Sequence, residues 1–180
     1  MAQRLNRTEY HRWSEGQEGR YERIAGEPVA MAPERAMHVR LKSRVWATLD
    51  RTIRAAGLDC EALADGLTVE IDDDTDYEPD VIVHCGPPVH PDATVASNPV
   101  VVVEVLPPST QSIDTTDKLA DYFRVPSIQH YLIVRARRRE IVHHFRRGDE
   151  IGCRIVDIGT IQLDPPGIAL PIDDVYTGIM

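Results

Sequence analysis

Two carboxylates in apolar surroundings are the residues of this sequence best placed to do chemistry. Asp80 begins a short apolar stretch, and Glu104 lies inside a β-branched run at residues 100–106. A carboxylate in a run buried on both sides is costly unless a counter-charge or a metal ion compensates it. Because Mg²⁺ is held by one or two carboxylates with water and phosphate oxygens, the pair predicts a divalent-metal site suited to phosphodiester hydrolysis.

Strands are the elements that would carry these carboxylates. Residues 67–71 alternate apolar and polar side chains, and residues 80–83 predict a second strand. Residues 98–106 are continuously apolar, which is typical of a central strand covered on both faces. Residues 129–134 and 140–145 predict a further strand and its hairpin partner.

The remaining pattern predicts helices around that sheet. Residues 20–31 favour a small hairpin, and apolar residues recur every four positions over 37–53, so an amphipathic helix should end at Gly57. Helical spacing at 118–123 follows the central strand, and the strand-like C-terminal third should end in a turn near 173–176. We therefore expect an α/β (α+β) fold with a mixed central sheet flanked by helices, an N-terminal hairpin and a long helix.

Length and composition predict one globular domain, residues 1–180, with its core at about 20–176. Of the 180 residues, 42% are hydrophobic and 27% charged, the balance of a globular protein. The apolar runs are shorter than the roughly 20 residues that cross a bilayer. The N-terminal residues lack the apolar stretch of a signal peptide, so we expect a cytoplasmic protein with no membrane contact.

The cysteines and the acidic stretch have plain interpretations. Cys60, Cys85 and Cys153 are odd in number and widely spaced, which predicts reduced thiols rather than a disulfide framework or a zinc site. Residues 72–83 lack the glycine and the final glutamate of a calcium loop. We expect residues 72–76 to form a solvated turn that helps to attract cations.

The net charge of −9 opposes DNA binding, because a DNA-binding surface is usually basic. The charge is segregated, with acidic residues at 70–78 and basic residues at 135–139 and 146–147. Segregation can leave one basic face, but arginine runs are more often solvated strand ends, and we expect that here.

An ordered set of short motifs resembles one protein family. The motifs are Tyr21-Glu22, Gly26-Glu27, His38, Glu78-Pro79-Asp80-Val81, Val102-Val103-Glu104-Val105-Leu106 with Pro108-Ser109-Thr110, Asp114, Lys118-Leu119, Tyr122, Val125-Pro126-Ser127 and Tyr131-Leu132-Ile133-Val134. Over residues 20–176 they resemble the Uma2 family (DUF820) of endonucleases, in the PD-(D/E)XK nuclease-like superfamily. The ordered set is specific, although no single motif is.

The resemblance implies roles for individual residues. Asp80 corresponds to the PD motif and Glu104 to the acidic residue of the second motif. A leucine stands two positions after that glutamate, where a lysine is usual, and Lys118 on the following helix is implied as its substitute. Glu22 corresponds to an N-terminal acidic residue that adds a ligand or orients the metal-bound water. The carbonyl of Val105 would be a third protein ligand of Mg²⁺ or Mn²⁺.

Two functions from different classes follow from these assignments. The first is a Mg²⁺- or Mn²⁺-dependent endonuclease acting on DNA, as a homodimer. The alternative is a nuclease-fold binding module without turnover, which the net charge and the missing second-motif lysine favour. A glycosidase with Asp80 and Glu104 as acid and base is a third option, but only 6% of residues are aromatic. Tyr122, one turn beyond Lys118, could contact the site or only the core, and we expect only the core.

Overall fold

The computed structural model describes residues 4–106 and 113–179, which form four helices and twelve strands. In chain order these are α1 (Arg7–Ser14), β1 (Tyr21–Ile24), β2 (Glu27–Ala30), α2 (Ala36–Ala56), β3 (Cys60–Ala64), β4 (Val69–Glu70), β5 (Asp76–Tyr77), β6 (Val81–Cys85), β7 (Pro99–Leu106), α3 (Ile113–Tyr122), β8 (His130–Arg135), β9 (Ile141–Arg147), β10 (Glu150–Val156), β11 (Thr160–Leu163), β12 (Ile168–Pro171) and α4 (Ile172–Tyr176). None of these helices has the length and apolar character that a membrane crossing would require.

A six-stranded mixed sheet occupies the centre, in the order β10-β9-β8-β7-β6-β3. β7 and β8 are parallel and the other neighbours are antiparallel. Parallel neighbours need a crossover, and the connection that contains α3 supplies it. β7 is buried along nearly its whole length, as its β-branched run predicts. The order β2-β1-β5-β4 forms a second sheet, and β11 pairs with β12.

Helix α2 covers one face of the central sheet. Its apolar stripe, Leu41, Val45, Leu49 and Ile53, is buried in the larger of two cores. Burial of such side chains contributes roughly 1.5–3 kcal/mol each. The helix ends at Gly57, which adopts φ 63° and donates its N–H to the carbonyl of Arg54. Glycine is favoured in this left-handed cap because it has no Cβ, so the sequence predicts the end of α2 correctly.

Helix α3 and the four-stranded sheet β2-β1-β5-β4 cover the opposite face. A second core lies there, formed by residues including Tyr77, Ile82, Val102, Tyr122 and Tyr131. The rings of Tyr122 and Tyr131 pack with centroids 4.9 Å apart. Glu104 lies on this face, two residues beyond Val102, so this core supports that part of the candidate site.

Helix α1, strand β3 and the state of two cysteines differ from the sequence-based expectations. Helix α1 was not predicted, although Asn6 and Glu9 form a reciprocal capping box at its start. Strand β3 was not predicted either, and it pairs with β6 so that Cys60 lies opposite Cys85. These two cysteines form a disulfide, so the expectation of reduced thiols is wrong for them. Cys153 is free and exposed.

The acidic stretch forms a turn in which Asp73 and Asp74 are exposed, as expected, but Asp76 at its end is buried and is not part of a solvated turn. Asp76 is almost fully buried and accepts a hydrogen bond from Arg23 Nε at 2.8 Å. The Arg23 guanidinium is also buried and donates to the carbonyls of Leu5 and Asp73. These hydrogen bonds offset much of the cost of burying the ion pair, so this contact fixes the N-terminal hairpin to the stretch before β6.

A chain of hydrogen bonds fixes two buried histidines in their neutral form. Arg154 Nε donates to His143 Nδ1 at 3.2 Å, so the His143 proton resides on Nε2. That nitrogen lies 2.9 Å from His130 Nδ1, and His130 Nε2 then donates to the carbonyl of Pro165 at 2.9 Å. Burial, together with the charge of Arg154, lowers the pKa of both rings, that of His143 to about 3.

The lowered pKa values predict a loss of stability in acid. The unfolded chain takes up protons at the ordinary histidine pKa of about 6.5, so stability is complete above that pH and falls below it. The melting temperature of His143→Gln should therefore fall less than that of the wild type between about pH 7.5 and pH 5.5. His90→Gln, at a side chain that is 77% exposed, is the control. An unchanged pH dependence in His143→Gln would contradict the assignment.

Candidate metal centre

The register between β6 and β7 brings Asp80 and Glu104 together. Val81 pairs with Val103, so one further step of this antiparallel ladder places Asp80 opposite Glu104. Directly opposed residues have Cβ atoms about 4.5–5.5 Å apart. The N–H of Val105 donates to Asp80 Oδ2 at 2.6 Å and fixes that carboxylate against β7. Both side chains line one cleft of about 860 Å³.

Helix α3 supplies the partners of Glu104. Lys118 Nζ lies 3.0 Å from Glu104 Oε1, and Tyr122 donates its hydroxyl proton to the same oxygen at 2.7 Å. The two helical side chains are four residues apart, so they point to the same face of α3. Within residues 4–106 and 113–179, both hydrogen bonds to this carboxylate end on Oε1. The expectation that Tyr122 belongs only to the core is therefore too narrow.

Glu22, on β1 of the four-stranded sheet, completes this group. Its Oε1 lies 2.7 Å from Lys118 Nζ and also accepts the N–H of Glu78 at 3.1 Å. The ammonium group of Lys118 lies 4.8 Å from the centre of the Tyr77 ring, within the range of a cation–π contact. Lys118 thus bridges two carboxylates from different sheets.

The charges of this group shift its protonation equilibria. Burial raises the pKa of Glu104 to about 7; Lys118 opposes the shift, and the carboxylates Glu22 and Asp80 reinforce it. Burial disfavours the ammonium form of Lys118, but Glu104 and Glu22 outweigh that effect and raise its pKa above the ordinary value. Lys118 therefore remains protonated at neutral pH and supplies a positive charge beside Glu104 and Glu22.

Helix α2 supplies the partners of Asp80. His38 Nε2 lies 2.9 Å from Asp80 Oδ1, and Lys42 Nζ lies 3.8 Å from the same oxygen. Lys42 is closer to Glu34 Oε1, at 2.5 Å, and to Asp65 Oδ2, at 2.6 Å. Burial lowers the pKa of His38, but the hydrogen bond and charge of Asp80 outweigh it, so the pKa is raised. Ligand atoms of Glu34, His38 and Asp80 all lie within 4.8 Å of one another.

Only part of the arginine run faces this cleft. Arg137 lines it together with Arg20 and Arg35. Arg135 pairs with Glu140, as expected of a solvated strand end. Arg146 donates to the carbonyls of Phe123, Val125 and Ile128, so it holds the end of α3 to the sheet and is not available to a ligand.

The four predicted side chains converge, while two of their neighbours were missed. Asp80, Glu104, Lys118 and Glu22 lie around one end of β6 and β7. The remaining predicted group, the carbonyl of Val105, belongs to β7, and Val105 lines the same cleft. Sequence reasoning did not find Glu34 or Lys42. A usable signal is the polar pair His38 and Lys42, one turn apart beside the apolar stripe of α2.

Comparisons with known proteins agree with this architecture. A model of the Uma2 family, described as "Putative restriction endonuclease", matches residues 7–171. An uncharacterized protein of Synechocystis sp., slr1290, is 31% identical over 98% of this chain and 93% of its own length. The crystal structure of a DUF820 protein of Anabaena variabilis, titled a putative nuclease, superposes with a TM-score of 0.75 at 13% identity, covering 98% of this chain and 99% of that one. The predicted fold class and family resemblance are confirmed.

Removal of Lys118 should destabilise the fold. In Lys118→Met two buried carboxylates lose their shared counter-charge, which costs about 3–5 kcal/mol for a broken buried pair. Urea unfolding at neutral pH measures the loss. Arg51→Met is the control, because Arg51 is 62% exposed and its pair with Asp174 should contribute less than about 1 kcal/mol. Similar losses in the two variants would contradict this account.

Proposed function

Because this chain belongs to the Uma2 family, we propose that it is an endonuclease that hydrolyses DNA phosphodiester bonds with Mg²⁺ or Mn²⁺. The observation that carries the proposal is that two buried carboxylates, Asp80 and Glu104, line one cleft and that the ammonium group of Lys118 lies 3.0 Å from Glu104 Oε1. Metal-dependent phosphodiester hydrolysis needs this combination of oxygen ligands and fixed positive charge.

The residues present fit a divalent cation. Asp80 and Glu104 provide oxygen donors, and the carbonyl of Val105 lies on the same strand as Glu104. Burial, reinforced by the charges of Glu22 and Asp80, raises the pKa of Glu104, and a divalent cation would favour its charged form. When bound, such a cation polarises the phosphate and lowers the pKa of a water molecule.

The side chains around the carboxylates have distinct tasks in this proposal. Lys118 places a permanent positive charge beside Glu104, where it stabilises the negative charge that develops on the phosphate and orients the attacking water. Glu22 holds that ammonium group in place at 2.7 Å. Tyr122 fixes the Glu104 carboxylate by its hydroxyl group. Arg137 and Arg35, both exposed at the cleft, can contact the flanking phosphates.

The rival function is a nuclease-fold module that binds without turnover. One observation favours it: Lys118 is already engaged by two carboxylates, so it must leave one of them to reach a substrate. Titration calorimetry with Mn²⁺ separates the two functions. Micromolar binding that is lost in Glu104→Gln supports the enzyme, and absence of binding to the wild type supports the module.

We also propose that the protein is a homodimer that pairs through β10. This strand is at the edge of the central sheet, and one face of it exposes Ile151 and Ile155 to 40% and 65%. The N–H of Arg146 donates to the carbonyl of Gln129, so the even-numbered residues of β9 form their main-chain hydrogen bonds with β8. The odd-numbered residues of β9 therefore form theirs with β10. By the same alternation, the odd-numbered residues of β10 direct their main-chain groups toward the open edge.

A second copy of the chain complements this edge. When two β10 strands pair in antiparallel fashion around Cys153, Ile151 of each copy lies opposite Ile155 of the other. This pairing buries the exposed isoleucine side chains of both copies. Glu150 then lies diagonal to Arg154 of the second copy, within reach of long side chains of opposite charge. Long apolar edge strands are sites of association unless they are protected, and this one has an apolar face.

Substitution of either metal-binding carboxylate should abolish DNA cleavage. Asp80→Asn and Glu104→Gln remove a charged ligand each, and we expect losses of at least about a hundredfold in cleavage of plasmid DNA with Mn²⁺. Asp50→Asn, at a residue of α2 paired with Arg54, is the control and should cleave normally. Cleavage at the wild-type rate by either site variant would sink the assignment.

A charge on the face of β10 should separate the dimer. Ile155→Lys should sediment as a monomer in analytical ultracentrifugation, whereas the wild type and Ile158→Lys sediment as dimers; Ile158 is 75% exposed but lies outside the strand. Mild oxidation should link two chains through Cys153, and Cys153→Ser should prevent the link. A monomeric wild type, or a dimer that Ile155→Lys leaves intact, contradicts the interface.

A further inference from the structure

We propose that Glu34, His38 and Asp80 form a second divalent-cation site beside the one assigned to Asp80 and Glu104. The inference deepens the proposed function, because Asp80 would serve both sites. It does not depend on DNA cleavage, since it concerns only the binding of the cation. The site has a nitrogen donor, which distinguishes it from the all-oxygen site.

The spacing of the three donors fits one cation. His38 Nε2 lies 2.9 Å from Asp80 Oδ1 and 3.9 Å from Glu34 Oε1. Two donors bonded to the same ion at about 2.1 Å are about 3.0 Å apart when adjacent and about 4.2 Å when opposite. These two distances are close to this range, and the donors of Glu34 and Asp80 lie within 4.8 Å of each other. Side-chain adjustments and the release of the proton that His38 and Asp80 share would complete the coordination.

The backbone holds these donors at the mouth of the cleft. His38 lies in the first turn of α2, and Glu34 precedes that helix by two residues. Asp80 precedes β6 and is held by the N–H of Val105. All three side chains line the same cleft, so an ion can reach them from solvent.

Lys42 gives an independent indication that this position attracts a cation. Its ammonium group lies 2.5 Å from Glu34 and 3.8 Å from Asp80. Its positive charge therefore balances the carboxylates that a metal ion would otherwise neutralise. Lys42 has a third partner, Asp65, at 2.6 Å. When a metal ion enters, Lys42 can give up Glu34 and keep Asp65. Lys42 is thus a competitor that sets a threshold for metal binding.

The donor set determines which ions should bind. Imidazole nitrogen favours Zn²⁺, Fe²⁺ and Ni²⁺, whereas Mg²⁺ and Mn²⁺ are held mainly by oxygen donors. The proposed second site should therefore bind Zn²⁺ more tightly than Mg²⁺ or Mn²⁺, and the site with Glu104 should accept Mg²⁺ and Mn²⁺; Mn²⁺ serves as the paramagnetic probe of both. Two cations that share a carboxylate are a recurring arrangement in phosphodiester hydrolysis.

Pulsed electron paramagnetic resonance with Mn²⁺ tests the proposal directly. Mn²⁺ bound to the wild type should show coupling to an imidazole nitrogen, and His38→Gln should lose it. Glu104→Gln should keep the coupling, although it loses the other site. Lys42→Met should bind Mn²⁺ at the imidazole site about tenfold more tightly, because a like charge has been removed. His90→Gln is the control and should behave as the wild type.

Several results would overturn the inference. One is an absence of nitrogen coupling in the wild type, and another is coupling that survives in His38→Gln. Coupling that appears only in Lys42→Met would show that the lysine fills the site permanently, which also excludes a metal site in the native protein. Coupling lost in His38→Gln but kept in Glu104→Gln supports the site even if no variant cleaves DNA. Circular dichroism confirms that each variant is folded.

Discussion

The close opposition of two buried carboxylates is the constraint on which the rest of the structure depends. The β6–β7 register places Asp80 and Glu104 side by side at the end of the central strands, where water can compensate little of their charge. Like charges this close are unfavourable unless positive groups surround them. The strands on either side of β7 do not supply these groups, because their residues near Glu104 are apolar apart from Arg135, which pairs with Glu140. Counter-charges must therefore come from the layers that cover its two faces.

The two covering helices divide this task. Helix α2 brings His38 and Lys42 to Asp80, and helix α3 brings Lys118 and Tyr122 to Glu104. In both helices the polar pair is spaced by four residues on a side that also packs against the sheet. The apolar side chains that dock each helix thus also set the position of its charged groups. The same contacts stabilise the fold and assemble the proposed site.

The sequence predicts the carboxylates on the strands more clearly than it predicts their partners on the helices. Glu104 could be found because a charge interrupts a continuous β-branched run, which is a local signal. Lys118 was found only through the family resemblance, and Lys42 was missed, because a lysine on a helix is usually solvated. The Cys60–Cys85 disulfide depends on the pairing of β3 with β6 across 25 residues, and β3 itself was not predicted. Contacts that depend on the meeting of distant elements have no local signature.

The net charge of −9 is compatible with a DNA substrate once the positions of the charges are considered. Several carboxylates form ion pairs within the fold, such as Asp76 with Arg23 and Glu22 with Lys118. Others line the cleft, where they would attract divalent cations. A protein with a broad basic surface gains affinity by releasing counterions from many phosphates. Here few arginines reach the cleft, so the protein would contact only a few phosphates of the DNA backbone. Binding would then rely on cations held by the carboxylates. The acidity that argues against general DNA binding is then what the proposed chemistry requires.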